Sequence, residues 1–368
     1  MPHHLALRFD PDYDYLNLRP RELADGSVDH RNLGYVQNVR QGELLAEWLP
    51  DGTEAAASGQ VLECAERVLP AGEGVRPDPA NPDRLLADRD GYPSLFEGRI
   101  IVKTLLNVRQ EVGVRTGNVQ FVGDVVVHDA VRSGFQVAGR SVLVKGVVEA
   151  ALVRAEASLS CEGGVKGAGR AVLKAGENLR LPFAEKAMLL AGKNLLVDGA
   201  CMHCEIFAGG RAAVKGLLVG GAVYASSVVY VEEQLGGGLG AETLVLLGYD
   251  AMALNKAMLV ERRIREETKR LEELTALSKV NPALREELKE KIIACQDKLD
   301  RFSARNAGLW QGIHARADLE RCAVIVPGRV RPGVEVCIGG ARLEVDDFLE
   351  NVRFTYKDGE VTFSSPAM

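Results

Sequence analysis

Residues 175–197 read AGENLRLPFAEKAMLLAGKNLLV, and this stretch decides the fold because it contains one motif twice. Ala-Gly-(Glu/Lys)-Asn-Leu-x-(Leu/Val) begins at Ala175 and again at Ala191, sixteen residues later. A unit this short is about half the length of the common helix-turn-helix repeats. The stretch therefore predicts a repeat built from short strands.

The same pattern continues on both sides of this stretch. With the Ala of each Ala-Gly pair, or its equivalent, as position 0, the units are spaced by 17, 20, 16, 17 and 17 residues. They begin at Ala138, Ala155, Ala175, Ala191, Ala208 and Ala225. Apolar residues recur at +4 and +6: Val142 and Val144, Leu159 and Cys161, Leu179 and Leu181, Leu195 and Val197, Ala212 and Val214, Val229 and Val231. An apolar spacing of two is typical of a strand.

Three short strands per unit predict one turn of a parallel β-solenoid, with successive turns about 4.8 Å apart along the axis. A further turn is predicted from Phe121, because Val125, Val127 and Val131 are in phase. The solenoid is expected from about residue 117 to residue 248, in seven or eight turns. The twenty-residue unit contains CEGGVKGAGR, which predicts a glycine-rich bulge at a corner.

From Ala251 the sequence becomes rich in charge and poor in glycine. Apolar residues lie three, four or seven apart on both sides of Asn281-Pro282, which predicts an antiparallel helical hairpin with a coiled-coil seam. The predicted seam residues are Ala257, Val260, Ile264, Leu271 and Leu274 on one helix, and Leu284, Leu288, Ile292, Cys295, Leu299 and Phe302 on the other. Residues 261–301 hold eleven basic and ten acidic residues, so the outer face is expected to be mixed in charge.

Strand character returns at AVIVPGRVRPGVEVCIGG, residues 323–340. Val324, Val326, Gly328, Val330 and Gly333 repeat the solenoid pattern, so the hairpin is either an insertion in the solenoid or a cap on its end. The final segment, VRFTYKDGEVTF, predicts a β-hairpin that turns at Asp358-Gly359 and covers the exposed edge of the last turn.

These stretches resemble the flagellar assembly protein A-like family. The matching sequences are GYVQNVRQGELLAEWLP, DGYPSLFEGRIIV, RTGNVQFVGDVVVHDAV, the Ala-Gly units, the charged hairpin and PGRVRPGVEVCIGG, which together cover about residues 33–368. The resemblance implies a small β-rich N-terminal domain, a right-handed parallel β-solenoid and a coiled-coil hairpin, with a role in flagellar assembly or polar organisation. It supplies no catalytic residues, and residues 1–32 match nothing in the family.

The expected domains are therefore a β-rich N-terminal domain at 1–95, the solenoid at 96–249, the helical hairpin at 250–318, and the returning turn with its hairpin cap at 319–368. The formal net charge of -6 argues against nonspecific binding of nucleic acid or anionic membranes. The seven scattered cysteines fit free thiols in a reducing compartment, and no segment has the roughly 18 apolar residues of a membrane span. We expect a cytoplasmic protein.

Cys201-Met-His203-Cys204 is the obvious candidate for a metal site, because it is a CxxC motif with a histidine inside it. The repeat favours a different interpretation. Cys201 and Cys204 occupy positions +10 and +13, where other units place small or apolar residues, so both sulfurs are expected to point into the core. His203 at +12 is expected to face outward.

Two further motifs resemble ligand sites only in part. Gly236-Gly-Gly-Leu-Gly240-Ala241 matches a dinucleotide fingerprint, but the next residues, ETLVLLG, predict a strand where the fingerprint needs a helix. Asp10-Pro-Asp12-Tyr-Asp14 begins like a calcium loop but lacks its sixth-position glycine and its final glutamate, so a solvated turn is expected.

No nucleophile elbow, His-Glu-x-x-His motif or phosphate-binding loop is present, so we expect no catalytic, cofactor-binding or metal-binding residues and no cofactor. The leading hypothesis is a non-enzymatic scaffold or interaction protein, with a protein partner or self-association through the helical hairpin and no nucleic acid. The alternative is a solenoid that binds, or acts on, a polysaccharide or a nucleotide through exposed charged or aromatic residues stacked across turns.

Overall fold

The computed structural model describes residues 3–22, 24–50, 60–237, 240–281 and 285–366. The fold is mainly β: a β-rich N-terminal region, a parallel β-solenoid of about eight turns, and two helices inserted after it. Residue contacts divide the chain into two compact units, Met1–Leu189 and Leu190–Met368. The predicted fold class is confirmed.

The first unit opens with an antiparallel sheet whose strand order is β5-β1-β4-β7-β6. The N-terminal strands are β1 (His3–Leu7), β2 (Arg21–Glu22), β3 (Val28–Asp29), β4 (Leu44–Trp48), β5 (Val61–Cys64), β6 (Val75–Pro77), β7 (Arg84–Ala87), β8 (Tyr92–Phe96) and β9 (Arg99–Lys103). Leu5, Leu45, Leu85 and Ile100 are fully buried and form the centre of its core. The strands β8 and β9 pair as a separate antiparallel hairpin.

Asparagine side chains form hydrogen bonds between this region and the first solenoid turn. Asn38 donates to the carbonyl oxygen of Gln120 at 2.9 Å and accepts from the backbone N–H of Val122 at 3.0 Å. Asn118 donates through its side chain to Asn32 at 2.9 Å. Because these bonds engage both groups of the Asn38 amide, they fix the direction in which the chain enters the solenoid.

Parallel pairing begins ahead of the turn predicted from Phe121. Leu106 on β10 pairs with Val125 on β12, so the solenoid has a strand before the turn predicted from Phe121. The solenoid strands of the first unit are β10 (Leu105–Val108), β11 (Val119–Gln120), β12 (Asp124–Val127), β13 (Gln136–Gly139), β14 (Val142–Val144), β15 (Leu152–Ala155), β16 (Leu159–Cys161), β17 (Val165–Ala175) and β18 (Leu179–Leu181); β19 (Ala184–Ala191) ends two residues into the second unit. Val142 pairs with Leu159, as the repeat predicts.

Within the second unit, the strands pair in parallel at the spacing of the repeat. Its solenoid strands are β20 (Leu195–Val197), β21 (Cys201–Ala208), β22 (Arg211–Val214), β23 (Leu217–Ala225), β24 (Val228–Val231), β25 (Gln234–Leu235) and β26 (Thr243–Leu247). Leu195 pairs with Ala212, and Cys201 with Leu218, so residues at equal positions in the repeat lie side by side.

The Ala-Gly pair that reveals the repeat has a steric cause. A Cβ atom at Gly209 would overlap the carbonyl oxygen of Gly192, and one at Gly176 would overlap the carbonyl oxygen of Glu156. Both glycines occupy position +1, where adjacent turns approach too closely for a side chain. The adjacent alanines, Ala175 and Ala208, are buried, so a small residue followed by glycine forms each of these corners.

The three extra residues of the twenty-residue unit lie where the sequence predicts. Val148 pairs with Val165 and Leu152 with Val172, so four residues on one turn correspond to seven on the next. The three extra residues form a bulge in which Ala168 and Gly169 have positive φ angles of 47° and 75°.

The two helices lie between β26 and β27, so the hairpin is an insertion. The remaining elements are α1 (Ala251–Val280), α2 (Arg285–Gln311), a 3-10 helix (Leu319–Arg321), β27 (Ala323–Val330), β28 (Val334–Ile338), β29 (Ala341–Val345), β30 (Leu349–Lys357) and β31 (Glu360–Ser364). On the returning turn, Val324 pairs with Val229 and Val330 with Leu235.

Antiparallel strands cover the last turn. The strand β30 pairs with β27, and β29 pairs with β28. Asp358 and Gly359 have φ angles of 53° and 91° and form the turn between β30 and β31, as predicted. These pairings use backbone groups that an open edge would expose.

Candidate functional site

The first turns of α1 are anchored on the solenoid. Asp250 accepts hydrogen bonds from the backbone N–H groups of Met252 at 2.8 Å and Ala253 at 3.1 Å, which caps the helix. The buried residues of α1 are Ala251, Leu254, Asn255, Ala257 and Val260, all within its first ten positions. The helix contacts β21. These residues form the base of the hairpin.

The strands beneath α1 carry apolar side chains on their outer face. Phe207 and Tyr224 pair across β21 and β23, and their rings stack at 4.7 Å with an interplanar angle of 8°. Strand alternation directs both away from the solenoid core, yet Phe207 is fully buried. At the equivalent outward position, β15 and β17 place the exposed Arg154 and Lys174. The outer face is therefore apolar where the helix lies against it.

An ion pair marks the end of this anchored section. The guanidinium of Arg262 on α1 donates to both carboxylate oxygens of Glu205 on β21. Burial raises the pKa of the neighbouring Tyr224 phenol, and the charge of Glu205 raises it further. The sequence did not single out these residues, although apolar outward positions at 207 and 224 are a readable signal.

The two helices contact each other. Of the predicted seam residues, Ala257, Val260, Leu288, Cys295 and Leu299 are buried, and Leu284 lies outside the described residues. Glu267 falls at the same spacing between Ile264 and Leu271, and the Cys295 thiol donates to its carboxylate at 3.3 Å. The helical hairpin is confirmed, and coiled-coil packing in its seam stays a prediction.

Three large apolar side chains of the distal hairpin are exposed. Leu277 is 46% exposed, Val280 is 83% exposed and Ile293 is 53% exposed. None of them belongs to the predicted seam.

A second candidate site lies in the first unit, in a cleft of about 470 Å³. We call it the tyrosine cleft and define it by Tyr13, Tyr15, Tyr35, Tyr92, Lys103 and Arg109. The chain has only eight tyrosines, so half of them line this one cleft. No sequence motif reveals the site, because only the folded chain joins Tyr92 and the two cations to the tyrosines near the N-terminus.

The rings of the tyrosine cleft are held by specific contacts. Tyr15 and Tyr35 meet edge to face at 5.6 Å, and Lys103 places its ammonium 5.9 Å from the Tyr92 ring centre. The hydroxyl of Tyr13 donates to the carbonyl oxygen of Gly34. Burial raises the pKa of Tyr35 to about 12, and the neighbouring Tyr15 and Tyr92 phenols add to the shift.

The candidate metal motif is part of the solenoid core. Cys201 and Cys204 are 0% and 1% exposed, as the repeat predicts. The Cys204 thiol contacts Cys201 and, together with burial, raises the pKa of Cys201. His203 is exposed at a corner, with a φ of 52°. In the described part of the chain, no group of three or more His, Cys, Asp or Glu side chains could hold a metal ion.

The aspartate-rich motif forms a turn, and the described residues of the glycine-rich motif lie between β25 and β26. Gly236 and Gly240 have positive φ angles, Gly238 and Leu239 lie outside the described residues, and β26 follows as the predicted strand. In the aspartate-rich stretch, Asp10 accepts from the backbone N–H of Asp12 at 3.0 Å and Asp14 from that of Leu16 at 2.9 Å. The carboxylates therefore stabilise the turn, as expected.

No helix in the described part of the chain combines the length and apolar character that crossing a membrane requires. No curated protein and no solved structure matches this chain. Two family models do. The Flagellar Assembly Protein A N-terminal region matches residues 14–98, and the Flagellar Assembly Protein A beta solenoid domain matches residues 104–361.

The N-terminal match corrects one expectation. Residues 14–32 fall inside the family model, so the family pattern begins well before residue 33. This stretch contains only the two-residue strands β2 and β3, which are too short to give a recognisable sequence motif. Because the solenoid model alone covers more than half of the sequence, the chain belongs to the Flagellar Assembly Protein A family and is related to flagellar assembly.

Proposed function

We propose that this protein is a non-enzymatic scaffold of flagellar assembly or polar organisation, in which the solenoid is a fixed platform and the helical hairpin binds a protein partner or a second copy of the chain. The observation that carries this proposal is the division of the hairpin into an anchored base and an exposed distal part. All buried residues of α1 lie between Ala251 and Val260.

The anchored base gives the distal part a defined direction. Burying Phe207 under α1 contributes about 2–3 kcal/mol by apolar area, and the ion pair between Arg262 and Glu205 adds to it. A binding surface that is held in place loses less conformational entropy when a partner binds. The base therefore acts as a support and the distal hairpin as the recognition element.

The chemistry of the distal hairpin favours a protein over a nucleic acid. Residues 261–301 carry eleven basic and ten acidic residues, so the segment has almost no net positive charge with which to attract phosphates. Leu277 and Ile293 instead offer apolar area to a protein surface. No disulfide joins the seven cysteines, all of which lie in the described part of the chain, and this supports a cytoplasmic location.

Shortening the hairpin tests the proposal. Cys295 lies opposite Glu267, so replacing residues 268–294 with a short Gly-Ser linker removes the distal part and keeps the base. A full deletion would expose Phe207 and confuse a loss of binding with a loss of folding. We expect the shortened chain to keep the circular dichroism spectrum of its β-solenoid and to lose association in light scattering and in pull-down experiments with flagellar proteins. Unchanged association would overturn the proposal.

A further inference from the structure

The tyrosine cleft carries chemistry that the hairpin does not use. We propose that it binds a nucleoside phosphate, with the base against the tyrosine rings and the phosphate between Lys103 and Arg109. A ligand site here would be independent of partner binding by the hairpin.

The size and lining of the cleft fit a small molecule. Its volume of about 470 Å³ lies within the range of about 300–1,000 Å³ that is usual for such sites. Pro11, Pro93 and Leu106 add apolar surface between the rings. This combination of apolar faces and a few charged groups is typical of a site that orients one ligand.

The aromatic rings supply surfaces on which a base can stack. Tyr15 is 47% exposed, so much of its surface is open to a ligand, while its contact with the buried Tyr35 holds its orientation. Every nucleobase has a π-face that can stack on such a ring. Tyr92 is held between Phe121, 5.9 Å from its ring centre, and the Lys103 ammonium.

The charged groups of the cleft are mostly cationic. Lys103 and Arg109 are cations, and the described lining includes one carboxylate, that of Asp10. Burial raises the pKa of both Tyr35 and Tyr92, and a phenol is protonated at neutral pH even at its ordinary pKa near 10. Donors and excess positive charge favour a ligand rich in anionic acceptors, as a phosphate group is.

Asp10 and Asn107 complete the match. The Asp10 carboxylate can accept a hydrogen bond from a ribose hydroxyl, and the Asn107 amide is oriented by its Oδ1, which lies 3.0 Å from Nε2 of His128. A neutral oligosaccharide would also stack on tyrosines, but it would leave both cations without an anionic partner. The charge of the cleft therefore favours a nucleoside phosphate.

Isothermal titration calorimetry on the full chain tests this proposal with AMP, adenosine and inorganic phosphate as probes. We expect AMP to bind at least tenfold more tightly than either adenosine or phosphate, because it alone uses both the rings and the cations. A neutral oligosaccharide is the fourth probe. Equal binding of AMP and phosphate, or binding of the oligosaccharide but not AMP, would overturn the proposal.

Two variants assign the binding to the cleft. Arg109→Ala should reduce AMP affinity about tenfold and leave adenosine affinity unchanged, whereas Tyr15→Ala should weaken both ligands. Both side chains are exposed, so neither change should unfold the chain. The matched controls are Arg99→Ala, on the same hairpin as Lys103, and Tyr230→Ala on β24. Equal losses in the control variants would overturn the assignment.

Discussion

The guanidinium of Arg262 on α1 contacts both carboxylate oxygens of Glu205 on β21, and both side chains are about one-third exposed, at 34% and 37%. The pair lies two residues beyond Val260, the last buried residue of α1. It therefore connects the anchored base of the hairpin to the solenoid at the point where the distal part begins.

A double-mutant cycle measures this connection. Arg262→Ala and Glu205→Gln should each lower the free energy of unfolding, with a coupling energy of about 1 kcal/mol, the upper end for partly exposed ion pairs. Hydrogen exchange in the first turns of α1 should also accelerate. Arg263→Ala, a change at an exposed neighbouring position, is the control. A coupling energy of zero would show that the pair does not anchor the helix.

The steric account of the Ala-Gly corner predicts a large effect at Gly209. A Cβ there overlaps the carbonyl oxygen of Gly192, so Gly209→Ala should cost about 2–3 kcal/mol in urea unfolding. Gly340→Ala is the matched control, because a Cβ at Gly340 meets no atom within 4 Å. Equal stability of the two variants would contradict the close approach of the turns.

The buried thiol of Cys161 predicts a loss of stability at alkaline pH. Burial raises its pKa in the folded chain from about 9 to about 11. Above pH 9 the unfolded chain loses this proton first, so the free energy of unfolding should fall as the pH rises from 9 to 11.

At pH 10.5, ionisation of Cys161 should lower the free energy of unfolding by about 2 kcal/mol, because each unit of pKa difference is equivalent to about 1.4 kcal/mol. Cys161→Val is the suitable comparison, because other units place Val144 and Leu181 at the same position. Urea unfolding at pH 8 and pH 10.5 should show a smaller loss in this variant. An equal loss in both chains would assign the alkaline effect to other groups.

The solenoid was predictable because its signal is local. Strand alternation placed Cys201 and Cys204 in the core, and the pairing of Ile206 with Val223 follows directly from the seventeen-residue period. The corner motifs were equally predictable. Gly209 must be a glycine because of the neighbouring turn, and that turn has the same sequence pattern.

The candidate sites were less predictable because they depend on contacts between distant segments. Alternation alone places Phe207 in solvent, and only the position of α1 shows that it is covered. The tyrosine cleft joins Tyr13, Tyr35 and Tyr92 from separate parts of the chain. Glu267 is a charged residue among apolar ones, so a search for apolar residues does not find this position. Its spacing of three from Ile264 and four from Leu271 does place it on the same helix face.

The central claim is that the distal hairpin, and not the solenoid, contacts the partner. A photocrosslinking amino acid at position 293, where Ile293 is 53% exposed, tests it in flagellated cells, with the same amino acid at position 230 on the solenoid strand β24 as the control. We predict one discrete crosslinked product, to a flagellar protein or to a second copy of the chain, from position 293 and none from position 230. A product from position 230 alone, or no product from position 293, would contradict the account.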